Sequence, residues 1–181
     1  MSLPLLVALG LCAVLVFWVI GAYNRLVAMR NNIADAWAKV QEALDQRGAA
    51  VEPLVAALRE PMAAEQDALD TWLLAHAQAA KAASAMAAQP LTQAHAQDWV
   101  AAEGVLAAAV SRVLALLEQQ AELRLRDPVA SLTATWRDGQ ARLPFARQVF
   151  NHAALAYNEA TAVFPTPLVA RSFGLSRAGL I

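Results

Sequence analysis

The first feature of the hydrophobic pattern is an apolar run from Leu3 to Ala22 that contains no charged side chain. A helix of about twenty residues rises about 30 Å, close to the thickness of the hydrocarbon core of a bilayer. Ser2 and Pro4 suit the start of such a helix, because serine can cap it and an early proline loses no helical hydrogen bond. The run therefore predicts a transmembrane anchor over residues 1–22.

Apolar positions at helical spacing continue directly after this run. Leu26, Ile33 and Val40 recur at intervals of seven, which is typical of one buried helix face. No proline or glycine interrupts this stretch. The pattern predicts that the anchor runs straight into the first helix of the domain, and that Gly48 and Pro53 bend this helix without ending it.

Three further helical patterns follow, and prolines mark their ends. The second covers residues 62–88 and stops before Gln89-Pro90. The third follows Thr92 as its cap. The fourth starts at Asp127-Pro128, as an N-cap followed by proline, and stops at Phe164-Pro165.

Short connections between long helices favour antiparallel neighbours. The sequence therefore predicts an all-α fold, in which an N-terminal transmembrane helix is continuous with the first helix of an antiparallel up-down four-helix bundle. The bundle domain covers residues 23–165, and a C-terminal tail covers residues 166–181. In this arrangement the fourth helix returns toward the membrane and brings Phe164 and the tail near Tyr23.

Aromatic and basic residues follow one another where the apolar run ends. Trp18 and Tyr23 are amphipathic rings of the kind that anchor at a membrane interface, and Arg25 and Arg30 are the first basic side chains. Because basic residues follow the run and none precedes it, the positive-inside bias places the N-terminus outside and the domain in the cytoplasm. A secretory signal would have a basic leading segment and a shorter core, so we expect an uncleaved, single-pass anchor in the cell (inner) membrane.

Composition and charge narrow the function further. A formal net charge of −1 lacks the basic excess that nucleic-acid binding needs, so no nucleic-acid partner is expected. Cys12 is the single cysteine, so no disulfide can form within one chain. The histidines His76, His95 and His152 have no metal-ligand spacing, so we expect no metal, cofactor or enzymatic activity. A hydrolase would need a pocket that joins His76 or His152 to a carboxylate.

Four asparagines form two pairs at heptad spacing, Asn24 with Asn31 on the first helix and Asn151 with Asn158 on the fourth. Antiparallel helices would bring the two pairs level, and asparagine is a weak helix former, so the spacing suggests a hydrogen-bonded ladder. Asn24, however, lies about 160° around the helix from Leu26. Three interpretations stay open: a register contact within the chain, a contact with another subunit, or plain exposure.

Two blocks of sequence at the ends of the domain carry a recognisable pattern. The first block consists of Tyr23-Asn24-Arg25-Leu26-Val27, Arg30-Asn31 and Ala36-Trp37-Ala38. The second block consists of Ala146-Arg147-Gln148, Phe150-Asn151, Tyr157-Asn158, Phe164-Pro165, Ala170 and Phe173-Gly174. In this order the blocks resemble the LemA family, although residues 46–55 lack the Asp and Asn that the family usually carries there. The resemblance implies a single-pass membrane protein with a helical bundle and no established enzymatic activity.

These observations predict a non-catalytic, membrane-anchored helical-bundle protein. We expect a self-associating scaffold or membrane-organising protein whose partners are the lipid bilayer and further copies of the chain, as a homo-oligomer. The alternative is an accessory subunit of a membrane protease or transporter, which would bind a membrane protein. A large exposed apolar patch on the face of the first and fourth helices would favour self-association, and one at the distal tip would favour a partner.

Overall fold

A computed structural model describes residues 3–181, so residues 1 and 2, with the predicted cap Ser2, lie outside the described residues. The described residues form α-helices and connecting turns, without a strand, which confirms the all-α prediction. The helices are α1 (Leu3–Gly48), α2 (Val51–Arg59), α3 (Gln66–Ala88), α4 (Gln93–Glu118), α5 (Ala121–Leu125), α6 (Val129–Ala162) and α7 (Thr166–Ser172). A short 3-10 helix, Ala63–Glu65, precedes α3.

The helix α1 contains both the apolar run and the first heptad positions of the domain. Its large apolar side chains are exposed as far as Ile20, apart from the partly buried Val19, whereas Leu26, Ile33 and Val40 are fully buried. By length and composition α1 is a candidate membrane span. The helix α4 is also long and apolar enough to be one, but Trp99 and the other apolar residues on one of its faces are buried in the domain.

A two-residue turn at Ala49 and Ala50 separates α1 from α2, where the sequence predicts only a bend. Pro53 accounts for the interruption, because it has no N–H to donate to the carbonyl of Ala49. Beyond the turn the helical bonding resumes at once, since the N–H of Leu54 donates to the carbonyl of Ala50 at 3.0 Å. The apolar spacing therefore continues into α2 although the hydrogen-bond ladder is broken.

The long helices pack mainly in two pairs, α1 against α6 and α3 against α4. Their buried apolar side chains form two clusters. The proximal cluster, nearer the apolar run, includes Leu26, Ile33, Trp37, Val40, Met86, Trp99, Leu143, Phe150 and Tyr157. The distal cluster includes Val51, Leu54, Leu58, Met62, Leu69, Trp72, Leu106, Val113, Leu117 and Leu123.

The helix α6 continues through Gly139 and Pro144, two residues that weaken a helix. Gly139 is buried where α6 meets the end of α1, and a Cβ added to it would lie 2.7 Å from the backbone nitrogen of Arg47. Only glycine permits this close approach of two backbones. The helix starts at Val129, with Pro128 in the N-cap position, one residue later than Asp127-Pro128 predicts.

Candidate functional site

The predicted membrane-interface residues lie around the end of the exposed apolar part of α1. Trp18, Arg25 and Arg30 are exposed, and Tyr23 is half-buried. The ring of Tyr23 lies 4.7 Å from the ring of Phe173, centroid to centroid. The C-terminal segment therefore reaches the end of the domain at which the apolar run emerges.

A groove of about 440 Å³ lies at this end, between α1 and the connection from α6 to α7. The α1 side of the groove includes Trp18 and Arg25, and the opposite side includes Val163, Phe164 and Pro165. The side chains of Val163 and Phe164 are 65% and 78% exposed. We call residues 163–166 the proximal loop.

The charges of the chain are distributed unevenly with respect to this end. All 15 acidic residues fall between Asp35 and Glu159. The segments on either side, residues 1–34 and 160–181, carry four arginines and no acidic side chain: Arg25, Arg30, Arg171 and Arg177. Arg25 is the charged residue among those that line the groove, and the rest of the lining is mostly apolar.

The structure does not join the two pairs of asparagines. Asn24 and Asn31 are exposed on α1. Asn158 binds the tail instead: its side-chain oxygen accepts from the N–H of Ala178 at 2.8 Å and its amide donates to the Ala178 carbonyl at 2.9 Å. Asn151 binds both backbone groups of Ile181 in the same way. The register contact within the chain is therefore not formed, and a contact of Asn24 and Asn31 with another subunit stays a prediction.

The final residues run back along α6, which the sequence interpretation missed. The buried hydroxyl of Tyr157 donates to the carbonyl of Ser176 at 3.0 Å, and burial raises the pKa of Tyr157. Gly179 fits against α4, because a Cβ added there would lie 2.6 Å from the Cβ of Ala96. Two features of the sequence point to this attachment of the C-terminal residues to α6. They are the spacing of seven residues between Asn151 and Asn158 and the presence of a glycine near the C-terminal end.

A buried ion pair lies where the two clusters meet. Arg47 of α1 donates to both carboxylate oxygens of Glu103 on α4, at 2.8 and 2.7 Å, and to the side-chain oxygen of Gln140 on α6 at 3.0 Å. The Arg47 and Glu103 side chains are 5% and 9% exposed. The sequence interpretation missed this pair too, although Arg47 lies seven residues after Val40 and so continues the buried heptad face.

A cleft of about 380 Å³ opens beside this pair and is lined in part by His76 and Asp45. Burial, and then the charge of Arg47, hold the pKa of the half-buried His76 below its usual value. The Glu103 carboxylate in this cleft is bound by Arg47, and no hydrogen bond in residues 3–181 joins His76 to a carboxylate. Within the same residues no group of three His, Cys, Asp or Glu side chains could hold a metal ion.

Taken together, the fold and these sites define a helical domain carried on a candidate membrane helix, with its C-terminal residues clamped to the end nearest that helix. The model of the LemA family matches residues 36–180, most of the chain. The chain belongs to the LemA family, which confirms the resemblance seen in the two blocks. A search of curated proteins found no match to this chain.

Proposed function

We propose that this protein is a non-catalytic, single-pass membrane protein that holds a rigid helical bundle at the membrane and self-associates there as a scaffold. The observation that carries the proposal is the extent of α1. This helix runs from Leu3 to Gly48, a length of about 69 Å, so the exposed apolar part and the buried heptad part belong to one rod. A helix without a hinge transmits the position of its anchor to the domain.

The bundle itself is proposed to be antiparallel and up-down, built from α1, α3, α4 and α6. Supporting contacts pair early residues of α1 with late residues of the chain. The rings of Trp37 and Phe150 lie 5.9 Å apart, and Tyr23, closer to the anchor, lies beside Phe173. Trp99 of α4 also meets Trp37, at 5.4 Å.

The proposed location is the cell (inner) membrane, with the N-terminus outside and the domain in the cytoplasm. The cationic end of the domain supports this orientation, since basic residues next to a span favour the cytoplasmic side. A cysteine introduced at exposed Ala121 in a Cys12→Ser background tests it. A membrane-impermeant maleimide should label this cysteine in lysed cells and not in intact cells, whereas labelling in intact cells would reverse the orientation.

Self-association is proposed to use the outward face of α1 that carries Asn24 and Asn31. Both side chains are exposed seven residues apart on one face, as expected of polar residues that set the register of packed helices. Light scattering of the detergent-solubilised chain should give a mass above that of the monomer. A strictly monomeric mass at all concentrations would contradict self-association.

A pair of variants tests the role of this face. Asn31→Arg should lower the scattering mass, because it places two like charges in the contact. The control Asn32→Arg adds the same charge one residue on, about 100° around the helix, and should leave the mass unchanged. Equal effects of the two variants would rule out this face as the contact.

The absence of catalysis is also part of the proposal. It is supported by the state of Glu103, which forms an ion pair with Arg47 and not a dyad with His76. The alternative function, an accessory subunit of a membrane protease or transporter, would use the distal end of the domain, where Leu125 of α5 is 73% exposed. Affinity purification with the anchor intact should then recover a stoichiometric membrane protein that the variant Leu125→Ser loses. Purification without such a partner would argue against this alternative.

A further inference from the structure

We propose that the proximal loop, residues 163–166, is a second membrane contact of this protein, seated in the bilayer leaflet from which α1 emerges. The inference rests on the proposed function in one respect, since it requires α1 to span a bilayer. It goes beyond that function because it gives the domain itself a bilayer-binding surface. The juxtaposition that carries it is the shared groove of Trp18 with Val163 and Phe164.

The position of the proximal loop along the axis of α1 follows from the packing of α1 against α6. Trp37 of α1 packs against Phe150 of α6, and the two helices run side by side. Tyr23 lies fourteen residues before Trp37, and Phe164 lies fourteen residues after Phe150. The step along α1 corresponds to about 21 Å of helical rise, and the step from Phe150 to the end of α6 at Ala162 corresponds to about 18 Å. Phe164 follows two residues later and lies in the groove with Trp18, near the end of the apolar run.

The bilayer is the occupant that the surface itself favours. Four of the large apolar side chains exposed outside the apolar run fall within eleven residues: Val163, Phe164, Leu168 and Phe173. Arg171 lies among them, and Arg25 lines the groove on the α1 side. Exposed aromatic and aliphatic side chains beside arginines, on an element next to a span, match the composition of an interfacial membrane contact.

A second contact changes what the membrane imposes on the domain. A single helical anchor sets the distance of the domain from the bilayer and leaves rotation about the axis of α1 free. A loop seated in the leaflet beside α1 removes that rotation. The same face of the domain is then always turned to the membrane, and the opposite face is always presented to solution.

Site-directed spin labelling of the full chain in nanodiscs of phosphatidylcholine and phosphatidylglycerol tests the inference. In a Cys12→Ser background, one nitroxide is attached through Phe164→Cys. The matched control is Phe145→Cys, which replaces a phenylalanine of α6 that is also exposed, at 70%, and that lies about 26 Å before the end of this helix. Val14→Cys reports on the anchor. The variant Val163→Cys keeps the Phe164 ring in place. It shows whether a result at position 164 comes from a local structural change caused by the loss of that ring.

Power saturation compares the access of lipid-soluble oxygen with the access of an aqueous nickel chelate. We expect the labels at 164 and 163 to show an oxygen-to-nickel access ratio several-fold above that of the label at 145, as the label at 14 does. If the label at position 14 is accessible to oxygen while the labels at 163 and 164 behave like the label at 145, the proposal of a second membrane contact is wrong, and α1 is still a membrane anchor. If 163 and 164 are shielded from both reagents, protein covers the loop and the bilayer proposal is wrong. If the label at position 14 is accessible to the nickel chelate, α1 does not span the bilayer, and the proposal of a second membrane contact is wrong as well.

Discussion

The two halves of the domain differ in how their cores are built. The proximal cluster is aromatic, with Trp37 in edge-to-face contact with both Trp99 and Phe150. The distal cluster is mainly aliphatic, and its central Trp72 meets the half-buried Trp136. The proximal half consists of long helices together with the short α7 and the C-terminal tail, whereas the distal half contains three short elements, α2, the 3-10 helix and α5.

The two blocks of sequence that first show the resemblance to the LemA family fall on the proximal half. Both recognisable blocks contribute to the proximal cluster, and the departing segment, residues 46–55, leads into the distal one. The C-terminal residues also bind only to the proximal half, through Asn151, Tyr157 and Asn158. In the half nearest the apolar run, the C-terminal residues therefore join distant parts of the chain.

The two halves are joined at the contact of α1, α4 and α6. Arg47, Glu103 and Gln140 bond across this boundary, and Gly139 lets the backbone of α6 approach that of α1. A buried charge is costly unless it is paired, and a backbone contact tolerates no added atom. Both features should make the boundary more sensitive to substitution than either cluster surface.

The largest effect is expected from breaking the buried ion pair. Glu103→Ala leaves the Arg47 guanidinium buried without its counter-charge, which should lower the free energy of unfolding by about 3–5 kcal/mol. Urea unfolding of the detergent-solubilised chain, followed by tryptophan fluorescence, measures the loss. The exposed pair of Arg59 and Asp70 provides the control, since Asp70→Ala should cost less than about 1 kcal/mol.

A double variant sharpens the same prediction. Arg47→Met with Glu103→Leu removes both charges and should restore most of the stability that Glu103→Ala loses. If the double variant is less stable than the single one, the role of the pair is packing and not mutual neutralisation.

The next effect is expected at the backbone contact. Gly139→Ala places a Cβ 2.7 Å from the Arg47 nitrogen, which should destabilise the domain by about 2–3 kcal/mol because backbone atoms must move. Gly104→Ala is the matched control, since a Cβ on this glycine of α4 meets nothing within 4 Å. The control should gain up to about 1 kcal/mol from helix propensity. Similar results for the two variants would show that the approach of α6 to α1 can relax.

A smaller and more local effect is expected at the tail. Asn158→Ala removes two hydrogen bonds to Ala178 and should cost about 1–2 kcal/mol. Hydrogen–deuterium exchange should accelerate over residues 176–181 and stay unchanged in the distal cluster. Asn32→Ala, at an exposed position of α1, should change neither quantity. Accelerated exchange in both halves would mean that the tail stabilises the whole domain.

The smallest effect is expected from pH, at the cleft beside the ion pair. Because burial lowers the pKa of His76 in the folded domain, the unfolded chain takes up this proton first as the pH falls. The stabilising contribution is present above about pH 6.5 and declines as the pH falls toward the lowered pKa. His76→Gln should flatten the fall in unfolding midpoint between about pH 7 and pH 5.5. His152→Gln, at an exposed position of α6, is the control and should keep the original slope.

Local pattern alone determined the helical class, the apolar run and most helix ends. A repeat such as Leu26, Ile33 and Val40 depends only on residues near one another in the chain, and prolines such as Pro90 act on their own backbone. The sequence also revealed the family, because the two blocks preserve their order. It did not reveal the small helices α5 and α7, which are too short for apolar positions to repeat several times at helical spacing.

Only the tertiary structure decided which distant groups meet. The pairing of Arg47 with Glu103, the fit of Gly139 against α1 and the grip of Asn151 and Asn158 on the tail each depend on the relative rotation and height of two elements. The periodicity of the sequence shows which residues share a face of a helix, but not which element packs against that face. The heptad spacing of Asn151 could therefore be seen in the sequence, whereas its hydrogen-bond partner could not. The partner of each of these groups is set by side-chain packing between elements, which the local sequence does not determine.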